Sequence, residues 1–448
     1  MIRRWKSVFR ALLALALSAP NVYADQITVE QSDPEREGRP PSIIVPFAFS
    51  TEALETGLGA VYFRKAVFQP QDGLFLTGYG TSNSSFGLFG GLRNLRLAER
   101  LFFNATLGFM DNDQQRFYGD FGYELGGTPP SGSNDSDDED FIFGGGIDSY
   151  LHLTFRYVLP IGAGKGSQPH RYTTNEGLLA EGSTHLGNWN PAKSGRTFVV
   201  LRPFYQRRTL DVTDENVDLF PPIFPAQPGV EVDFSTNGIM LGVEYDNTDF
   251  VSNPSRGSMT KFNVHRDFGA FDSLNSWTSL DFSFAKYWSF GDSKAFAQRV
   301  LAANVWAAYS PTWDTELVAP DVIAIRNRPP GNRGATLGGV ERQRGYPRGR
   351  FNDKAAINYT VELRLIPHWD PFRNWPIIRN WPWRWWQVVG FAEFGRVAPS
   401  WNFGELHEDM KWTAGAGIRA MIGGGIIRFD FAASDEASQI WVMARQAF

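Results

Sequence analysis

Two adjoining stretches decide how this chain folds: Arg342-Gln343-Arg344-Gly345-Tyr346-Pro347-Arg348-Gly349-Arg350, and the segment from Ile357 to Leu365. The second alternates strictly, with Ile357, Tyr359, Val361, Leu363 and Leu365 interleaved with Asn358, Thr360, Glu362 and Arg364. A period of two puts these sets on opposite faces of a strand. A basic, glycine-rich loop therefore precedes a strand with one oily and one charged face. The chain ends in a second segment of this kind, Gln439 to Phe448, with Trp441 inside it and Phe448 as the last residue, a pairing expected to serve as a C-terminal assembly signal. Hydrocarbon on one side and water on the other is the setting of a closed β-barrel in a bacterial outer membrane, where every backbone polar group is paired between strands.

The beginning of the chain agrees with export. Arg3, Arg4, Lys6 and Arg10 precede an apolar run from Ala11 to Ala19, and Val22-Tyr23-Ala24 fits the small-residue rule before a cleavage site. Residues 1–24 read as a signal peptide. Pro20-Asn21 ends the run well short of the roughly 20 apolar residues that a helical span needs. Removal of these four basic residues, with no acidic ones, takes the net charge from −5 to −9, a balance that argues against a nucleic-acid partner. Cysteine is absent, so disulfides and thiol chemistry play no part. Aromatics at 15% and 45 glycines suit a barrel, in which only alternate residues need be apolar.

Residues 25–46 are polar and carry the pair Pro40-Pro41, which predicts a short periplasmic tail, and residues 47–448 the barrel. Alternation predicts strands near 56–67, 72–83, 84–95, 101–110, 115–125, 142–158, 196–210, 238–246, 258–268, 278–288, 294–310, 355–367, 386–398, 410–422, 426–432 and 438–448. That makes about sixteen, the even number that bacterial barrels show. Parity then puts Gly126–Phe141, Asp211–Thr236 and Ser310–Lys354 outside the cell, with Asp111–Gln114 and Gly291–Lys294 as short periplasmic turns. Pro160–Gly195 is long and polar, yet parity assigns it to the periplasm; it is either an insertion or a missed hairpin. The tryptophans at 369, 375, 381, 383, 385 and 386 read as an interfacial girdle at the periplasmic rim.

Gln343-Arg344-Gly345-Tyr346 resembles the VRGF or VRGY signature of the BamA/TamA-type surface-antigen superfamily. The resemblance implies that the loop before the twelfth strand folds back into the lumen and that Arg344 meets an acidic and an aromatic residue of the wall. Glu362 lies on the polar face of the next strand, and Phe391-Ala392-Glu393-Phe394-Gly395 stands where the family tends to show Phe-x-Asp-x-Gly. Gln343 replaces the usual Val and Glu393 the usual Asp. The charge logic survives both changes, because a guanidinium in a water-poor lumen needs a carboxylate. Asp246 and Asp249, followed by Asn253-Pro254-Ser255-Arg256-Gly257, look like the strand end and turn common to the same family.

The resemblance implies assistance of protein or lipid insertion or translocation at the outer membrane, with membrane lipid, lipopolysaccharide and client barrels or periplasmic proteins as partners. It also implies weak closure between the first and last strands. Gly57 and Gly59 in the first candidate strand, with Arg445 and Gln446 in the last, would loosen that seam. The best-known relatives carry periplasmic POTRA domains, for which a tail of about twenty residues has no room. The alternative from a different class is a passive channel or a surface adhesion barrel. No cofactor, metal ligand set or catalytic group is expected. Gly162-Ala163-Gly164-Lys165-Gly166-Ser167 lacks the P-loop spacing, the acids between Asp135 and Asp140 read as a solvated loop, and His152 has no serine nucleophile on its face.

Overall fold

The computed structural model describes residues 28–31, 42–51, 55–119, 123–125, 129–166, 168–219, 227–271, 273, 275–319, 322–331, 333–376, 378–379, 381–423 and 425–448; the signal-peptide segment 1–24 lies outside them. Sixteen strands form the wall: β1 Ser42–Thr51, β2 Glu55–Lys65, β3 Gly73–Thr81, β4 Phe86–Ala98, β5 Leu101–Phe117, β6 Ile142–Val158, β7 Arg196–Asp211, β8 Thr236–Thr248, β9 Gly257–Phe268, β10 Ser276–Ser289, β11 Phe296–Tyr309, β12 Ala355–Pro367, β13 Trp383–Ala398, β14 Lys411–Ile422, β15 Gly425–Ala433 and β16 Ser438–Ala444. Each pairs antiparallel with the next. The sheet closes into a barrel with β1 beside β16.

The alternation seen in the sequence becomes an inside and an outside. In β8, Leu241 and Val243 are 56% and 49% exposed, whereas Met240 and Glu244 are at 0% and 2%. Phe262, Phe282, Val361, Leu363, Phe394, Ile418 and Phe429 are likewise exposed around the wall. A large apolar band turned outward, with charged groups buried inward, is a membrane barrel's inversion of a water-soluble core.

Two elements differ from the sequence expectation, and they offset each other in the strand count. Residues 115–125 are not a separate strand: β5 runs through Asp111–Gln114 to Phe117, and a bulge between Asn112 and Gln115 absorbs the turn-like composition. In exchange, Ser42–Thr51 is the true first strand, so residues 42–46 belong to the barrel and not to the tail. Its run Ile43-Ile44-Val45-Pro46-Phe47 lacks alternation, which hid it. The glycines expected to loosen the first strand, Gly57 and Gly59, therefore sit in β2. The last strand also ends early, at Ala444. Arg445 takes a positive φ of 75°, and the residues after it turn inward, with Phe448 stacking on Tyr287 inside the wall.

The 159–195 segment does contain a hairpin, though not a wall hairpin. His170–Asn175 pairs with Leu178–Glu181, and the pair folds across the end of the barrel. It leaves from β6 and reaches β12 to β15 on the far side, where Tyr172 packs with Phe250, Ile366, Trp385, Met421 and Ile426, and Leu178 and Leu179 lie against the same cluster. The Trp385 indole N–H donates to the Gly177 carbonyl at 3.2 Å, and Glu176 pairs with Arg373 at 3.0 Å. Trp385 thus holds this floor and is no part of a girdle, whereas Trp369 and Trp375 are exposed at 67% and 55%. Thr28–Gln31 adds a third, parallel strand to the hairpin.

Candidate functional site

The long connection after β11 first makes a hairpin, Asp314–Ala319 with Val322–Arg326, joined by Tyr123–Leu125. It then enters the lumen. Ala335–Leu337 pairs with Phe351–Asp353, and between them residues 338–350 reach the inner wall. Gly338 and Gly339 start this descent at φ values of 100° and 105°, a region that side chains disfavour. Tyr346 anchors the loop in a buried cluster with Trp306, Leu337, Phe351, Ala356 and Val397. Its hydroxyl donates to Asp435, and burial together with that carboxylate pushes the phenol pKa up.

Arg344, at the tip, is fully buried among acids from three different strands. Its Nη2 lies 3.0 Å from Glu362 Oε1 of β12, its Nε donates to Glu393 Oε1 of β13 at 3.0 Å, and its Nη1 donates to Asp430 Oδ2 of β15 at 2.6 Å. The backbone N–H of Arg344 adds a bond to Glu393 Oε2 at 2.6 Å, and its carbonyl accepts the Trp441 indole N–H at 2.7 Å. The guanidinium lies 3.5 Å from the Phe391 ring centroid. Burial alone would lower its pKa; Glu393, Glu362 and Asp430 outweigh burial and hold it above the ordinary arginine value.

Each neighbour of Arg344 has a reason in local geometry. Gly345 passes so close to the wall that a Cβ would stand 2.8 Å from the Ala433 carbonyl carbon. Gly395 leaves room for Gln343, which would otherwise meet a Cβ at 2.9 Å from its Nε2. Gln343 takes φ +54° and donates to Asn358 Oδ1 and the Lys411 carbonyl at 3.2 Å, while accepting from Thr413 at 3.0 Å. The amide at the usual Val position therefore gains three wall partners.

Sequence reading missed half of this network. Arg364 and Arg419 also bind Glu362, at 2.8 Å each, and Arg428 pairs with Asp430 at 3.4 Å. Four guanidinium groups thus share three carboxylates in a site without water access. The signal was present: Arg364, Arg419, Arg428 and Asp430 all lie on the polar faces of alternating strands. What the sequence does not show is which strands meet.

The second motif is a built turn at the barrel's floor end. Asp249 Oδ1 accepts backbone N–H bonds from Phe250, Ser255 and Arg256 at 2.9, 2.9 and 3.1 Å. Asp246 accepts from Thr248 and lies 3.5 Å from Arg196. Gly257 follows Pro254 at φ +97°, pressed on the Asn247 carbonyl. Asn253 connects this turn to the lock: Gln446 Nε2 donates to Asn253 Oδ1 at 3.0 Å, and Gln446 in turn accepts from Arg419, which holds Glu362. Both motifs therefore belong to one polar chain inside the wall. Of the two C-terminal residues singled out, Trp441 faces the lumen and binds the loop, and Phe448 lies 4.9 Å from the Arg364 guanidinium rather than on an outer face.

A sixteen-stranded barrel with an apolar outer band and an arginine-locked loop folded into its lumen defines an outer-membrane β-barrel. The Omp85 superfamily domain matches residues 204–439, more than half of the chain, and the protein belongs to that superfamily; it is an outer-membrane β-barrel protein. No curated protein matches the sequence. Among solved structures, CdiB from Escherichia coli is similar at TM-score 0.52 and 12% identity over 90% of this chain, and the chain spans 62% of its length. BamA from Haemophilus ducreyi lacking POTRA domains 1–3 is similar at TM-score 0.47 and 13% identity, over 91% of this chain and 70% of that one. CdiB from Acinetobacter baumannii follows at 0.44 and 11%, over 90% and 58%.

Proposed function

We propose that this barrel assists insertion of proteins into the outer membrane through the seam between β1 and β16, with the Arg344 lock holding the loop that stiffens the wall on the β12 to β16 side. The observation that carries this reading is the state of the seam. One continuous cavity of about 1270 Å³ is lined by the lumen and also by Ile440, Val442 and Ala444 of β16. Trp441 points inward to the loop, so by alternation these three face outward. The lining of the cavity thus takes in both faces of β16 beside the seam.

Local structure supports a weak seam. β16 spans only seven residues, against twelve or more in most of the wall, and turns inward at Arg445. β1 carries Pro46, which has no N–H to give to a ladder and in sheets is found on edge strands. Among the described residues, the contact between β1 and β16 is the thinnest of any neighbouring pair in the ring. Such an edge can pair with an incoming strand.

The passive channel is the weaker reading, because the floor hairpin crosses one end of the lumen and the locked loop fills the other. The two readings separate in one assay. The folding rate of a denatured outer-membrane protein into liposomes is measured with and without this barrel, beside the Arg344→Ala form. The proposal expects acceleration that the variant loses; equal rates in all three samples would leave only the fold in common with insertion barrels. Residues 1–24 are proposed as the cleaved export signal, and outer-membrane lipid and lipopolysaccharide as the surroundings of the apolar band.

A further inference from the structure

We propose that the floor hairpin carries a strand-exchange site: the edge of His170–Asn175, held at rest by the chain's own segment Thr28–Gln31, accepts an extended stretch of an unfolded client. The inference adds a client-binding surface to the insertion reading and rests on that reading for its purpose, though not for its binding chemistry.

The first observation is the order of the floor sheet. His170–Asn175 is its middle strand, with Leu178–Glu181 on one side and Thr28–Gln31 on the other. The tail strand is paired in parallel over four positions only, Thr28 to His170 through Gln31 to Thr173. Parallel pairing is slightly weaker per residue than antiparallel, and four residues close few ladder bonds. Removing the tail exposes a bare strand edge. That edge is recognised through backbone N–H and C=O groups, so it suits extended segments of many sequences.

The second observation is that the hairpin persists without the tail. Tyr172, Thr174 and Gly177 are buried against the wall, and Trp385 and Arg373 hold the turn from the far side. Arg171, Asn175, Ala180 and Glu181 are exposed, so the underside meets water. The site is therefore a rigid platform with one replaceable edge, which keeps the ordering cost of binding low.

The third observation links this edge to the seam. Ser42 pairs with Arg64, Lys65 with Gly73, and Leu101 with Tyr157 along the rim from which the hairpin leaves, so β1 starts at the floor end. Only residues 32–41 separate the tail strand from β1, a reach of at most roughly 40 Å. A docked tail tethers the seam's first strand. A client that displaces the tail releases that tether while standing beneath the opening it is to enter.

The chain has no cysteine, which gives a clean background for a Val29→Cys/Arg171→Cys pair at facing register positions. The full-length variant should form this disulfide on mild oxidation. A fluorescent peptide copying residues 26–33 is then titrated against three forms in detergent, each shown to keep its heat-modifiable barrel. These are the wild type, a form with residues 28–31 replaced by a Gly/Ser stretch, and the oxidised double-cysteine form. The proposal expects at least tenfold tighter binding to the Gly/Ser form than to the wild type, no binding to the oxidised form, and recovery on reduction. Equal affinity for all three, or failure of the pair to cross-link, would overturn it. If the wild type does not accelerate client folding, the insertion reading fails while the titration still decides the exchange site.

Discussion

Arg344 Nη2 of the in-folded loop and Glu362 Oε1 of β12 stand 3.0 Å apart with both side chains at 0% exposure, inside a buried network that also ties Arg344 to Glu393 and Asp430 and Glu362 to Arg364 and Arg419. Removing one partner of such a pair leaves buried charge behind, at a cost of roughly 3–5 kcal/mol. Arg344→Ala should therefore lower the temperature at which the barrel loses its compact electrophoretic mobility. Arg344→Lys should rescue little, because three separate acids are served by three different guanidinium nitrogens. Unchanged heat resistance in both variants would show that the lock does not hold the wall.

Gly345 tests the closeness of the loop to the wall without altering charge. A Cβ there would meet the Ala433 carbonyl at 2.8–2.9 Å and the Ser434 nitrogen at 2.9 Å. Overpacking of this kind costs about 1–3 kcal/mol. Gly345→Val is expected to expel the tip and open residues 338–350 to protease in the folded protein, whereas Gly404→Ala, at a site whose Cβ would have its nearest neighbour at 3.4 Å, should not.

The floor hairpin makes a prediction about conductance. Tyr172, Trp385 and Gly177 pack it against the wall opposite its origin, so the intact protein should pass little current across a planar bilayer. Replacing residues 168–183 by a short Gly/Ser linker should raise the conductance severalfold and leave the heat-stable mobility in place. A large steady current through the intact protein would instead favour the channel reading.

Arg350 joins the in-folded loop to the acidic connection between β5 and β6. It donates to Ser136 Oγ at 2.8 Å, to the Ser136 carbonyl at 2.7 Å and to Glu436 at 2.7 Å. Charge-assisted bonds of this kind are about twice as strong as neutral ones. Arg350→Ala should free that connection, seen as faster cleavage by a Glu-specific protease at Glu139 in the folded variant than in the folded wild type.

How much of this was legible in the residues follows from what period and motif encode. Period two marked β6 and β12 at their true bounds because their inward and outward faces differ in polarity from Leu151 to Tyr157 and from Ile357 to Leu365. It failed for β1, where Ile43, Ile44, Val45 and Phe47 are apolar on both faces and Pro46 interrupts, which are the features that suit an edge at a seam. It failed again at Asp111–Gln114, where a bulge carries turn-like residues through a strand. The motifs pointed to Arg344, Glu362 and Glu393, which the fold brings together; Asp430 and Arg419 come from strands whose neighbours no local pattern reveals, and Gln446 from the inturned end of the chain beyond β16. The hairpin at 170–181 was visible only as an oversized turn, since its apolar partners Phe250, Trp385 and Met421 are distant in sequence.

The central claim is that clients enter beside β16. A photo-crosslinking amino acid placed at Val442, on the outer face of the seam, is compared with one at Leu241, on the outer face of the opposite wall, while a denatured outer-membrane protein folds into liposomes containing the barrel. The account predicts client adducts at position 442 that appear and decay with folding, and none at 241. Equal labelling at the two positions, or none at 442 while folding is accelerated, would contradict it.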